Sequence, residues 1–308
     1  MSFVRRRLNV FVLSGMEGTI QFTFNEECSK TVEFGGFEWT AEENLKCDSV
    51  SSTEHCTLLF CKPLNDSSTV LWHCLARGTL DLADSSGSKQ ATFHVWNFHF
   101  HRSHETAHLH RSDSAYASAQ SVCAKKSFGQ IHIEIVESTI VDLSQPDNSL
   151  IQDAEDAAKF KVEGKEMWLS KKALSFHSPV FHDFFTKNSG KQNGDIYKIK
   201  DFDSFILFLL IIHDIPTQLD GLSAGLLLDM NDEFNCKKVL QRCEEFFHNA
   251  DVKDIPLSEK FYLADIYDLK KLLMTTVDKM PINEMKSLRR SEMSEFALDV
   301  VSQKMFSF

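Results

Sequence analysis

Phe160-Lys161-Val162-Glu163-Gly164-Lys165-Glu166-Met167-Trp168-Leu169, followed by Ser178-Pro179-Val180-Phe181-His182-Asp183-Phe184-Phe185, is the stretch whose reading decides the fold. Phe160-Lys161-Val162 is a strand, Gly164 supplies a hairpin turn, and Met167 to Leu169 is the returning strand. Pro179 directly after Ser178 marks a helix start, because proline's fixed φ suits the first helical position. Val180, Phe181, Phe184 and Phe185 then recur at helical spacing and form one broad apolar stripe. A strand hairpin feeding an amphipathic helix is the opening of an α/β domain.

Beyond it, Asn193-Gly194 reads as a turn and Ile196-Tyr197-Lys198-Ile199 as a strand. Asp203 is a candidate cap for the apolar helix Phe205 to Ile212, which Pro216 stops. The remainder is helical and contains an echo at an offset of 33: Asp232-Glu-Phe234-Asn-Cys236-Lys-Lys-Val-Leu240 against Asp265-Ile-Tyr267-Asp-Leu269-Lys-Lys-Leu-Leu273. Each copy reads as helix, tight turn at the aromatic-polar pair, helix. Leu226, Met230 and Phe234 form one expected apolar stripe, and Val239, Leu240, Cys243, Phe246 and Phe247 the next. Two copies fall short of the roughly three that a free-standing solenoid needs, so they should lean on the α/β domain.

Toward the N-terminus the pattern is of strands: Leu8 to Leu13, Ile20-Phe22-Phe24, Thr57 to Phe60, Val70 to Ala76, Thr79 to Leu82, Thr92 to Phe100 and Gln130 to Val136. Turn signals at Ser14-Gly15, Gly35-Gly36, Pro63-Leu64-Asn65-Asp66 and Ser85-Ser86-Gly87 separate them, which suggests a β-sandwich. Residues 103–125, polar and Ser-rich, read as a long loop. Composition shifts to Ser, Asp, Gln, Pro and Asn between Ser138 and Ala157, the best domain boundary. The expected organisation is therefore multidomain: an all-β sandwich over 1–140, a linker over 141–156, an α/β domain over 157–250 and a helical extension over 251–308.

The 308 residues are long enough to bury full cores. A net charge of -11 argues against a long basic surface for nucleic acid or anionic lipid and toward protein partners. The apolar run Phe205 to Ile212 is far below the roughly 18 residues needed to span a bilayer. Arg5-Arg6-Arg7 before Leu8 mimics a signal peptide, but Asn9 interrupts a short apolar part, so a first strand is the better reading. The eight cysteines are thinly spread. Cys236 and Cys243, seven apart, lie roughly 10 Å apart if both are helical, too far for a disulfide. Reduced thiols in a cytoplasmic or nuclear protein are expected.

No Gly-x-Ser-x-Gly, phosphate loop, paired-His helix or Cys-x-x-Cys occurs, so an enzyme is not expected. His94, His99, His101, His104, His108 and His110 crowd 17 positions. Imidazoles at such density can bind zinc or copper. No Cys or carboxylate falls at a recognised ligand spacing, so a solvated or client-facing strand face is favoured, and neither metal nor cofactor is expected. Phe93, Trp96, Phe98 and Phe100 are candidates for a peptide groove, against the competing reading of sandwich core; strand alternation puts Phe93 and Trp96 on opposite faces.

The stretch Val162-Glu-Gly164-Lys…Ser170-Lys-Lys-Ala-Leu174-Ser-Phe-His177-Ser178-Pro179-Val180-Phe181…Phe184-Phe185 resembles the BTB domain. Ile199-Lys-Asp201-Phe202-Asp203…Phe205…Leu209-Leu210-Ile211 is similar to its next strand and helix, Leu227 to Phe247 to its closing helix pair, and Ile255 to Met280 to the helical extension (3-box or BACK-like) of many members. Phe34-Gly35-Gly36-Phe37-Glu38-Trp39, Trp72-His-Cys74-Leu-Ala76 with Leu80 and Leu82, and Ile131-His-Ile133-Glu-Ile135 resemble the MATH domain, a β-sandwich often placed ahead of BTB. The combination resembles especially the MATH–BTB set of nematodes.

This resemblance implies a non-catalytic adaptor. The sandwich binds a short peptide of a client protein, while the BTB domain forms a homodimer and binds a cullin scaffold of a ubiquitin ligase. Val180, Phe181, Phe184 and Phe185 become dimer-interface candidates, and Asp201, Phe202, Asp203 and Phe205 cullin-binding candidates. The alternative is a BTB scaffold or transcriptional cofactor without a ubiquitin role. The chain departs from the family pattern at Ala157, where an Asp is usual but Asp156 is adjacent. It departs again near Ser204, where an acid is usual, and at His213-Asp214, which replaces an aromatic.

Overall fold

The computed structural model describes residues 16–23, 30–44, 56–83, 94–102, 104–110, 128–187 and 201–306. The strands expected at Leu8 to Leu13 and Ile196 to Ile199, and the turns at Ser14-Gly15, Ser85-Ser86-Gly87 and Asn193-Gly194, lie outside these residues. The described residues divide into two compact units. One runs to Ser170 and includes Ile215–Thr217; the other holds 171–187, 201–214 and 218 onward.

The first unit is a sandwich of two four-stranded antiparallel sheets. One takes the order β1 (Met16–Thr23), β8 (Phe128–Asp142), β5 (Val70–Ala83), β6 (His94–His101). The other runs β2 (Lys30–Phe34), β3 (Phe37–Asn44), β4 (Cys56–Pro63), β7 (Thr106–His110). Alternation selects the inward faces: Ile131, Ile133 and Ile135 are buried, while His132, Glu134 and Val136 stay at the surface. Residues of both sheets join one core, in which the Trp39 and Phe100 rings meet edge to face at 5.4 Å and Phe37 and Trp72 at 5.9 Å. On the outer face Arg77 donates to both Glu134 carboxylate oxygens at 2.7 and 2.8 Å, holding that carboxyl below its usual range.

Three expectations change. Val70 to Ala76 and Thr79 to Leu82 are one 14-residue strand, because Gly78 continues the ladder: a Cβ there would stand 1.8 Å from the His132 carbonyl oxygen. Residues 103–125 are not all loop, since Thr106–His110 pairs with β4 and buries Ala107 and Leu109. Strand β8 runs on to Asp142, so Ser138 to Asp142 are sheet, with β5 as their partner.

The hairpin forms as the sequence indicates, from β9 (Ala157–Val162) and β10 (Lys165–Ser170), with Glu163 and Gly164 both at positive φ, the geometry of a two-residue turn. Asp156 is buried at its base, where it accepts hydrogen bonds from the Ser170 hydroxyl at 2.8 Å and the Gln152 N–H at 3.0 Å. Residues 143–156 are anchored too: Trp168 N–H donates to the Leu143 carbonyl at 2.7 Å, and the Asn148 amide to the Trp168 carbonyl at 3.0 Å.

The second unit is helical: α1 (Lys171–His177), α2 (Pro179–Lys187), α3 (Phe202–Ile212), α4 (Gly221–Phe234), α5 (Lys237–Asn249), α6 (Leu257–Ile266), α7 (Lys270–Lys279), α8 (Ile282–Ser287) and α9 (Glu295–Phe306). The internal echo is real at the turns. Asn235 and Asp268 occupy the same left-handed conformation after Phe234 and Tyr267, which lets the chain reverse within two residues. Cys236 precedes α5 as its N-cap and is not inside a helix; it and Cys243 are buried free thiols, the latter pushed up to about 12 by burial.

Candidate functional site

Helix α2 starts where Ser178-Pro179 indicated. The Ser178 hydroxyl accepts the Phe181 N–H at 3.3 Å and donates to the Phe234 carbonyl, tying the start of one helix to the end of another. The stripe on α2 splits. Phe181 is wholly buried, stacked on Phe234 with centroids 4.7 Å apart and planes at 12°, and within 6.4 Å of both Phe208 and Phe185. It is a core residue and not a dimer contact, because its direction on the helix points at α3 and α4. Val180, Phe184 and Phe185 remain half-buried at the surface.

The preceding helix carries a residue that the sequence reading missed. Phe176, on α1, is 80% exposed, its ring edge-on to His177 at 4.9 Å. The signal was available: Leu174 and Phe176 cannot share one helix face, and Leu174 is the buried one.

The segment Asp201 to Phe205 also divides by direction. The N-cap of α3 is Asp201 and not Asp203: its carboxylate accepts the Asp203 N–H at 3.2 Å and the Ser204 hydroxyl. Asp203 is exposed in the first turn, where its charge suits the helix dipole. Phe202 and Phe205 are buried, the latter stacked on Phe208 at 5.9 Å, so they are not free to meet a scaffold. Ser204, at the position where an acid was expected, is 4% exposed and bound into the cap. His213 is buried, and Asp214, left-handed, pairs with Lys238 at 2.7 Å, while Lys238 also donates to the Ile212 carbonyl.

In the sandwich, Trp96 and Phe100 are core residues and Phe98 packs against that core, so this face of β6 does not form an open groove. Phe93 lies outside the described residues. The opposite face of β6 carries Val95, 76% exposed, with Asn97 exposed and His99 half-buried. Among the described residues β6 is the last strand of its sheet, and His101 at its end pairs with His104.

The histidines do not form one solvated face. His101 is buried and its ring lies 4.7 Å from that of His104; His108 is exposed; the side chains of His94 and His110 lie outside the described residues. His73 on β5, not part of the sequence cluster, joins them: it is fully buried, with Nε2 3.4 Å from His99 Nδ1. Burial, with His99 and His101 adding to it, lowers the His73 imidazole to about 3, so the ring is neutral. Among the described residues no three His, Cys, Asp or Glu side chains converge as a metal site, and no helix is long and apolar enough to cross a membrane.

The hairpin β9–β10 and helices α1 to α5 follow one another within a single stretch of the chain. Residues 156–251 match the family model of the BTB/POZ domain. BTB domains commonly dimerise and bind other proteins, so an adaptor role follows at that level. A comparison with curated proteins found no match to the chain.

Proposed function

We propose that this protein is a non-catalytic adaptor of the cytoplasm or nucleus: a homodimer that serves as the substrate-recognition subunit of a cullin-RING ubiquitin ligase. The observation that carries this reading is the BTB/POZ match over 156–251. The exposed Phe176 and the half-buried Val180, Phe184 and Phe185 support the dimer, since apolar surface of this kind needs a partner and a two-fold mate supplies one. The sandwich acts as a MATH-type receptor for a short extended client peptide. Strand β6 supports that role as the outermost strand of its sheet among the described residues, with Val95, Asn97 and His99 on its outer face, a place where a strand can add. Two linked receptors then raise avidity by making the second capture intramolecular.

Light scattering on the full chain tests the dimer. The expected mass is twice the 35.2 kDa of one chain, falling to one chain in the double variant Phe176→Glu, Phe184→Glu with helicity retained. A wild-type protein that stays single at high concentration overturns the reading. A pull-down with a recombinant cullin N-terminal region tests the ligase role. The scaffold or cofactor alternative is favoured by one observation: with Phe202, Ser204 and Phe205 buried, only Asp201 and Asp203 of that segment reach the surface. Capture of clients without cullin decides for it.

A further inference from the structure

Helix α4 carries two features on its outer face that helix chemistry alone does not favour. On its outer face Leu222 is 76% exposed and Leu226 37%, one turn apart. Gly225 stands between them, and a Cβ built there would meet nothing within 4 Å. Glycine weakens a helix interior relative to alanine, and here no neighbour claims the space it leaves. The absent side chain makes a notch flanked by two leucines.

The second feature is charge. Asp229, Asp232 and Glu233 continue the same stripe at i+7, i+10 and i+11 from Leu222 and are exposed. They crowd the C-terminal half of the helix, where the macrodipole is negative and carboxylates are unfavourable. The helix itself has no Lys, Arg or His, and among the described residues none of the three carboxylates forms an ion pair; Asp229 accepts a hydrogen bond from the Tyr267 hydroxyl at 2.6 Å. Local rules broken twice on one stripe, with no cation set against these carboxylates among the described residues, mark a surface shaped for something outside the helix.

One occupant relieves both. We propose that the outer face of α4 docks a basic amphipathic helix of a partner protein. An apolar side chain of that helix seats in the notch at Gly225 between Leu222 and Leu226, and Lys or Arg side chains of its following turns pair with Asp229, Asp232 and Glu233. The strip is about 17 Å long, room for about three turns of a partner helix. The chain's net charge of -11 steers such a cation-rich segment toward it.

The test uses the full chain and a labelled synthetic helix of Leu, Ala and Lys in amphipathic order, with a counterpart in which Glu replaces every Lys. Fluorescence anisotropy should show the Lys peptide binding at least about tenfold more tightly than the Glu peptide, with affinity falling as salt rises. A Cβ at position 225 meets nothing within 4 Å, so in Gly225→Leu the melting temperature should hold or rise while affinity for the Lys peptide falls about tenfold. Leu222→Asp should weaken binding to the same degree. Equal binding of the two peptides, or unchanged affinity in both variants, overturns the proposal. So does a Gly225→Leu protein whose light-scattering mass changes while its peptide affinity does not, which makes the face an interface between copies of this chain.

Discussion

Replacing Phe181 with alanine separates the core of the second unit from its surface. Phe181 is wholly buried and stacks on Phe234 at 4.7 Å, with the Phe208 and Phe185 rings each 6.4 Å away. Truncating a buried Phe removes about 3–5 kcal/mol, and the near-parallel stack on Phe234 places this site in the upper part of that range, about 4 kcal/mol. Against a total stability of about 5–15 kcal/mol, that is a large fraction. With a urea m-value of about 1–3 kcal/mol/M, the denaturation midpoint should fall by more than about 1 M. Circular dichroism at two protein concentrations tenfold apart reads the loss, which should be the same at both. Phe176→Ala is the control: its exposed ring should leave the midpoint at high dilution within about 0.5 kcal/mol while weakening association. A Phe181→Ala protein with the wild-type midpoint at high dilution and a lowered light-scattering mass would refute the assignment and return Phe181 to the dimer surface.

The buried imidazole of His73 makes a pH dependence. Its folded value near 3 lies below the usual 6.5 of an unfolded histidine, so the unfolded chain binds the proton more readily. Its stabilisation is complete above about pH 6.5 and declines as pH falls toward 3, by ~2 kcal/mol between pH 7 and pH 5. His73→Gln should flatten that slope in urea titrations at the two pH values; an unchanged slope would disprove the attribution. Gly78→Ala places a methyl against the His132 carbonyl and 2.8 Å from the Trp96 ring, and because a backbone group cannot swing aside, thermal melting should show a loss of at least about 1–3 kcal/mol. Asp201→Ala removes the cap of α3 and should lower stability by about 1 kcal/mol. Ser204→Glu puts a second carboxylate into the same buried cap and should destabilise by about 2 kcal/mol or more, so lost folding, rather than gained cullin affinity, is the expected result of that substitution.

Local chemistry made much of this protein legible from its sequence. Glu163-Gly164 at the hairpin, Ser178-Pro179 at the start of α2, and Asn235 and Asp268 at the paired helix ends act through their own backbone preferences, which do not depend on distant residues. The run Ile20-Phe22 was legible as a strand, and both side chains are buried on its inner face. What failed were decisions between partners. A stripe such as Val180, Phe181, Phe184 and Phe185 is one apolar face by periodicity, and only the positions of Phe208 and Phe234 reveal that Phe181 alone is consumed by the core. Trp96 and Phe100 went to the sandwich interior because another sheet lies over them. Asp201 took the cap from Asp203 because the helix begins one turn earlier than its apolar run. His73 joined His99 and His101 through strand pairing across 26 and 28 positions, a relation that sequence spacing does not contain. Backbone conformation is set by neighbours within a few residues, whereas burial is set by what arrives from elsewhere in the chain, so the sequence by itself determined the elements and the tertiary structure decided which of their faces remain open to bind.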